Sequence, residues 1–234
     1  MRTRGPGANN VLIVFDCDGV LVDSERLLQR VDMEMLGELG WPITVEEIYR
    51  EHLGHTVADM VANVERHLGK PLPDGFLNRR DEHFAALLHS ELHAVPGVVA
   101  ALDRLDELGY ASCVASSGSH EKMRMTLGRV GMFERFAGRI FSAQDVSRGK
   151  PWPELFLHAG QRMSFPPHRC IVVEDSPAGI TAARRARMRS IGYVAQTPAD
   201  MLTEADTTID DMSRLVEAIT ELLAHSATGS DCTP

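Results

Sequence analysis

Two aspartates separated by one residue, Asp16 and Asp18, close the apolar run Val11–Phe15 in the segment VLIVFDCDGVLVDS. A short apolar run that breaks into polar residues and a glycine reads as a buried parallel strand ending at a site. Ligands of open α/β sheets bind at the carboxyl ends of the strands, which is where both aspartates would stand. Carboxylates this close repel each other. A divalent cation would compensate them, and so would a proton on one of them.

Two more runs share the design. ASCVA, residues 111–115, leads into Ser116-Ser117-Gly118, and Cys170–Val173 leads into Glu174-Asp175-Ser176. Together these polar ends suit phosphoryl transfer, which needs a nucleophile, an acid/base and positive charge against the phosphoryl oxygens. Asp16 can attack phosphorus and carry an aspartyl phosphate. Asp18 can protonate the leaving oxygen and then activate water. Ser116 offers a hydroxyl, and the Ser117 and Gly118 amides can donate to phosphate near the start of the following helix. Glu174 and Asp175 offer carboxylates for Mg²⁺. Lys150, in Gly149-Lys150-Pro151, offers a compact ammonium. Lys70, Lys122 and Lys150 are the only lysines in a chain with 24 Lys and Arg together, so a lysine in such a loop stands out.

The elements that must position these residues follow from periodicity. Further strands are expected at Arg139–Ser142, Ser190–Val194 and Thr207–Ile209, alternating with helices, as in βαβ units around a parallel sheet. Helices open at Pro96-Gly97 and at Pro153, and a last one runs over residues 212–225 with Leu215, Ile219, Leu222 and Leu223 on one stripe. Residues 24–93 differ, with four helical patterns and no convincing strand. The first ends at Trp41-Pro42, Thr44 to Glu47 forms a capping box for the second, Thr56 with Asp59 caps the third, and Gly69-Lys70-Pro71 stops it. The expected fold is α/β: a Rossmann-like core over 11–23 and 94–225, with a small helical cap, 24–93, inserted above its catalytic edge. Residues 1–10 and 226–234 are expected to be a disordered leader and tail.

With these motifs in place, the chain resembles the haloacid dehalogenase (HAD) superfamily phosphatases of the β-phosphoglucomutase-like subgroup. FDCDGVLVDSE, VASSG, GKPWPE and VVEDSPAGITAA match its four motifs in order, across about residues 11–195. Within the subgroup, FDCDG, VDSE and SSGSHEKMRMTLGRVGMF are most similar to 6-phosphogluconate phosphatase-like proteins. The resemblance implies a Mg²⁺-dependent phosphatase of a small phosphorylated metabolite, a sugar or sugar-acid phosphate, working through a phosphoaspartate. It implies Mg²⁺ on Asp16, the Asp18 carbonyl and Asp175, with Glu174 a direct or water-mediated partner. Dehalogenases lack the second aspartate, and the Schiff-base lysine of phosphonoacetaldehyde hydrolases has no good counterpart, since Lys70 sits at a helix stop. A β-phosphoglucomutase-type mutase is the alternative, weakened by Leu28 and Val57 where such mutases carry histidine and arginine. A non-catalytic HAD-fold binding protein is a lesser one. Arg187 stands where the family has glycine, which concerns helix-end geometry.

Other features take plainer readings. The net charge of −9 argues against nucleic-acid or anionic-membrane partners. No run is long enough to span a membrane, and the N-terminus lacks the apolar region of a secretory signal. Cys17, Cys113 and Cys170 read as buried thiols and Cys232 as a tail residue, which fits a reducing cytoplasm. A monomer or weak homodimer is expected. His89 and His93, four apart on one expected helix, have a spacing that could ligate a metal, but without a third ligand they are read as surface or hinge residues. Asp23 helps to define the hinge. Arg184, Arg185, Arg187 and Arg189 spread over two faces of a solvated helix and form no nucleic-acid stripe. His55 follows Gly54 in the cap loop and is a candidate substrate contact.

Overall fold

The structure, a computed structural model, describes residues 10–52 and 57–227. It divides into two compact units, one running to Val22 and resuming at Ala94, the other spanning Asp23–His93.

The first unit is built on six parallel strands: β1 (Leu12–Phe15), β2 (Ala111–Ser116), β3 (Ile140–Ser142), β4 (Cys170–Glu174), β5 (Arg189–Tyr193) and β6 (Thr207–Ile209). Their order across the sheet is β3-β2-β1-β4-β5-β6. This is a doubly wound α/β sheet whose order reverses between β1 and β4, where such sheets bind ligands. β1 is apolar at every position and fully buried, as a central strand covered on both faces must be. Alternate residues serve opposite faces. Leu12, Val14, Cys113, Ala115, Cys170 and Val172 form one core with Leu155, Phe156 and Ala159 of α7 (Glu154–Arg162) and Ala182 and Ala183 of α8 (Pro177–Arg185). On the opposite side Phe15 tilts against Phe136 with ring centroids 6.5 Å apart. α5 (Val98–Glu107), α6 (His120–Arg129) and α9 (Leu215–Ala227) complete the unit.

The second unit is helical: α1 (Ser24–Glu38), α2 (Val45–His52), α3 (Val57–Leu68) and α4 (Phe76–Glu91). Thr44 and Glu47 form the capping box read from the sequence, with the Thr44 amide 2.8 Å from Glu47 Oε2 and the Glu47 amide 3.3 Å from Thr44 Oγ1. α3 ends at Leu68, and Gly69 follows at φ 65°, the left-handed stop that only glycine adopts without penalty. Arg80 from α4 grips the buried Asp32 of α1 through Nε and Nη2, one to each carboxylate oxygen. The cap expected from Thr56, and His55 itself, lie outside the described residues.

The structure corrects two sequence expectations. α4 ends at Glu91, so His93 is not on one helix with His89; its carbonyl accepts the Asp23 amide at 3.0 Å. The arginine run is not one helix either. α8 ends at Arg185, Arg187 is a turn residue and Arg189 begins β5. Arg184 pairs with Glu204, Arg185 donates to the Pro151 carbonyl at 2.9 Å, and Arg189 donates to the Leu222 carbonyl.

Arg187 has φ 56°, a left-handed conformation that costs an L residue roughly 1–2 kcal/mol. Its side chain is exposed, so no lost packing offsets that cost in a glycine variant. Arg187→Gly is expected to raise stability by about 0.5–1 kcal/mol, after the unfolded-chain entropy that glycine adds. Urea denaturation measures it, and a lower midpoint would contradict the reading.

Candidate active site

The register of the central strands builds the site. Phe15 lies beside Val173, so Asp16, which follows β1, stands beside Glu174, the last residue of β4. The Asp16 amide donates to the Val173 carbonyl at 3.0 Å, carrying the pairing one residue beyond the strand. Lys150 bridges the two carboxylates, its Nζ 2.5 Å from Asp16 Oδ1 and 2.5 Å from Glu174 Oε1. All three side chains are buried, at 5% exposure for Lys150, 9% for Asp16 and 0% for Glu174. At these values the charges must compensate one another, because water cannot.

The second oxygen of Glu174 is also committed. Oε2 accepts from the Ser176 amide at 2.8 Å and from Ser176 Oγ at 2.9 Å. Ser176 Oγ in turn accepts the Gly179 amide at 3.1 Å and so caps α8. The Glu174 carboxylate lies across Gly179, where a Cβ would fall 1.9 Å from Glu174 Cδ. Only glycine leaves room for it. Asp175, next in sequence, is half-buried.

The loop that supplies Lys150 is held from outside. The Arg148 and Arg185 guanidiniums lie 4.2 and 4.9 Å from the centre of the Trp152 ring, and Arg185 also binds the Pro151 carbonyl. The Lys150 ammonium lies 5.0 Å from the centre of the Phe156 ring, which gives it an apolar floor.

Burial pushes the Asp16 carboxyl up to about 7. Lys150 opposes the shift, and the Glu174 and Asp18 carboxylates add to it. Burial works to lower Lys150, but Asp16 and Glu174 outweigh it and hold the ammonium above its usual range. Cys17, between the two aspartates, is fully buried and 4.0 Å from Thr126 Oγ1. Burial first, then both aspartates, push its thiol well up, so it packs as an inert thiol.

Ser116 ends β2, buried, with its Oγ accepting the Gly118 amide at 3.1 Å. Ser117 is exposed. β3 and the turn after it brace this loop: Ser142 Oγ donates to the Gly118 carbonyl at 2.7 Å, and the Gln144 side chain accepts the His120 amide at 3.2 Å. A Cβ on Gly118 would lie 3.5 Å from Ser116 Oγ and 3.7 Å from Asp18 Oδ2, so the loop and Asp18 face each other closely.

The structure therefore brings Asp16, Asp18, Ser116, Gly118, Lys150 and Glu174 to one edge of the sheet. Sequence reasoning missed Lys122, whose Nζ lies 2.8 Å from Asp18 Oδ2, although the scarcity of lysine that marked Lys150 marks it equally. It also missed Gly179, for which a lone glycine in the first turn of a helical pattern was the available signal.

The donor set fits a hard divalent cation: Asp16, Asp18, Glu174 and Asp175 are oxygen donors whose combined charge exceeds that of the two lysines by two. Among the described residues, however, no three His, Cys, Asp or Glu side chains converge closely enough to hold a metal by themselves. Glu174 in particular is turned to Lys150 and Ser176.

Residues 13–193 match the family model of the haloacid dehalogenase-like hydrolases. The chain belongs to that family. It is 31% identical to the 6-phosphogluconate phosphatase of Escherichia coli (strain K12) over 211 residues, 88% of this chain and 92% of the relative. Among solved structures it is similar to a conserved haloacid dehalogenase-like protein of unknown function from Agrobacterium tumefaciens str. C58, at 38% identity and TM-score 0.85, covering 91% of this chain and 98% of that one. It is also similar to a HAD family hydrolase from Deinococcus radiodurans R1, solved with bound phosphate and sodium, at 27% identity and TM-score 0.80, covering 90% and 95%. As a member of the family this protein is a hydrolase on a Rossmann-like α/β core. No helix among the described residues is long and apolar enough to cross a membrane.

Gly179→Ala is expected to dislodge Glu174, leave the Lys150 cluster incompletely paired and cost about 3 kcal/mol of stability. Gly37→Ala, on α1 with open space around the added methyl, is the control and should be neutral or slightly stabilising. Denaturant titration of both distinguishes a specific clash from a general cost of removing glycine; equal effects would remove Glu174 from the explanation.

Proposed function

We propose that this protein is a Mg²⁺-dependent phosphatase of sugar or sugar-acid phosphates that works through a phosphoaspartate on Asp16. The observation that carries the reading is the placement of Asp16: buried at the point where strand order reverses, held by Lys150, with Asp18 two residues on and the Ser116 loop facing it. The similarity to 6-phosphogluconate phosphatase supports the substrate class.

In the first half-reaction an Asp16 oxygen attacks phosphorus while the bond to the leaving sugar oxygen breaks, and Asp18 gives that oxygen its proton. In the second, the Asp18 carboxylate takes a proton from water, the water oxygen attacks phosphorus, and the bond to Asp16 breaks to release inorganic phosphate. Lys150 keeps Asp16 oriented and offsets negative charge as the phosphoryl group approaches. Ser116 Oγ and the Ser117 amide hold phosphoryl oxygens, and the Gly118 amide, which donates to Ser116 Oγ, orients that hydroxyl. Glu174 acts through Lys150, fixing where the ammonium stands. Asp16, the Asp18 carbonyl and Asp175 would hold Mg²⁺, which supplies positive charge to the phosphoryl oxygens when bound.

Asp16→Asn is expected to abolish phosphate release, by at least about 10³-fold, while the thermal transition is preserved. The measurement is inorganic phosphate released from a panel of sugar phosphates, sugar-acid phosphates and nucleotides, with Mg²⁺ and with chelator. Undiminished release by the variant would overturn the mechanism. Conversion of β-glucose 1-phosphate and its bisphosphate to glucose 6-phosphate faster than phosphate appears would replace the phosphatase with a mutase.

A further inference from the structure

The two aspartates that follow β1 are each met by a lysine, and the second lysine has no role in the chemistry outlined so far. Lys122 lies on α6, 104 positions from Asp18, and its Nζ is 2.8 Å from Asp18 Oδ2. The pair is partly screened from solvent, at 33% exposure for Lys122 and 17% for Asp18. Its backbone is fixed as well, because Ser119 Oγ accepts the Lys122 amide at 3.1 Å and caps the helix. The side chain then runs past Gly118, where a Cβ would meet Lys122 Cδ at 3.5 Å and Asp18 Oδ2 at 3.7 Å. One glycine thus separates the lysine stem, the aspartate and the Ser116 hydroxyl.

We propose that Lys122 is a positioning residue for Asp18: it pins one carboxylate oxygen against the Ser116–Gly118 loop and so aims the group at the oxygen leaving phosphorus and at the attacking water. This rests on Asp18 being the proton carrier. An aspartate side chain has two soft torsions, and proton transfer tolerates little misplacement, so a fixed partner contributes through geometry. Lys122 differs in this from Lys150, which is buried between two carboxylates and serves the nucleophile.

Leaving groups provide the test. An alkyl phosphate such as 6-phosphogluconate expels an alkoxide that needs a proton, whereas p-nitrophenyl phosphate expels a phenolate that does not. Lys122→Met is expected to lower kcat/KM for the alkyl ester about 30-fold and for p-nitrophenyl phosphate less than about 3-fold. With p-nitrophenyl phosphate the variant should also show a burst of nitrophenol, because water attack on the aspartyl phosphate still depends on Asp18. Lys122→Arg should recover part of the alkyl-ester rate. Thermal transitions of both variants, and of Lys122→Gln as a second removal, should stay within a few degrees of the parent. Equal loss on both esters with no burst would make Lys122 a phosphate ligand or a structural residue and overturn the proposal. If the parent protein releases phosphate from no ester of the panel of sugar phosphates, sugar-acid phosphates and nucleotides, the phosphatase reading falls, and the proposal falls with it.

Discussion

One buried ammonium shared by two buried carboxylates sets the terms for the rest of the catalytic unit. Lys150 could not be held at 5% exposure without Asp16 and Glu174, and each of these buried acids meets its counter-charge in the one ammonium. The pairing of β1 with β4 brings the two acids together, so the strand order is itself a condition of the charge cluster. The other constraints follow in sequence. Gly179 must lack a side chain, Ser176 must both cap α8 and occupy Glu174, and Trp152 must be gripped by two arginines so that its loop delivers the lysine.

The cluster divides labour between the adjacent aspartates. Asp16 is buried and tied to a buried lysine, while Asp18 is more open and tied to a lysine on a helix surface. Cys17, between them in sequence, is buried in the core. In the proposed mechanism the nucleophile, to which bonds form and break, takes the rigid setting. The proposed proton carrier, which would meet departing alcohol and arriving water, takes the half-open one.

How much of this was legible in the sequence depended on whether the interaction was local. The strands announced themselves as short apolar runs, and β1, β2 and β4 fell within a residue of where VLIVF, ASCVA and CIVV placed them. Strand-end residues were legible for the same reason, since a run that stops at a polar residue places that residue at the sheet edge. The capping box at Thr44 and the stop at Gly69 need only neighbouring residues and were read correctly. Partnerships across the fold were not legible. Nothing in HEKMRM says that its lysine meets an aspartate 104 positions earlier, and nothing in EDSPAG says that the glutamate folds over the glycine. The arginine run misled because helical periodicity was assumed across Arg187, where a left-handed residue ends the turn and β5 begins.

The chain leaves the sheet-bearing unit at Val22 and resumes it at Ala94, and those two residues pair as an isolated bridge, with the Val95 amide on the Leu21 carbonyl at 3.0 Å. The intervening helices therefore begin and end a hydrogen bond apart, like a bead tied on by both ends of its thread. The sheet-bearing unit thus closes with its own backbone hydrogen bonds at the point of insertion, so the pairing that carries the strand edge and its charges runs past the inserted helices without passing through them.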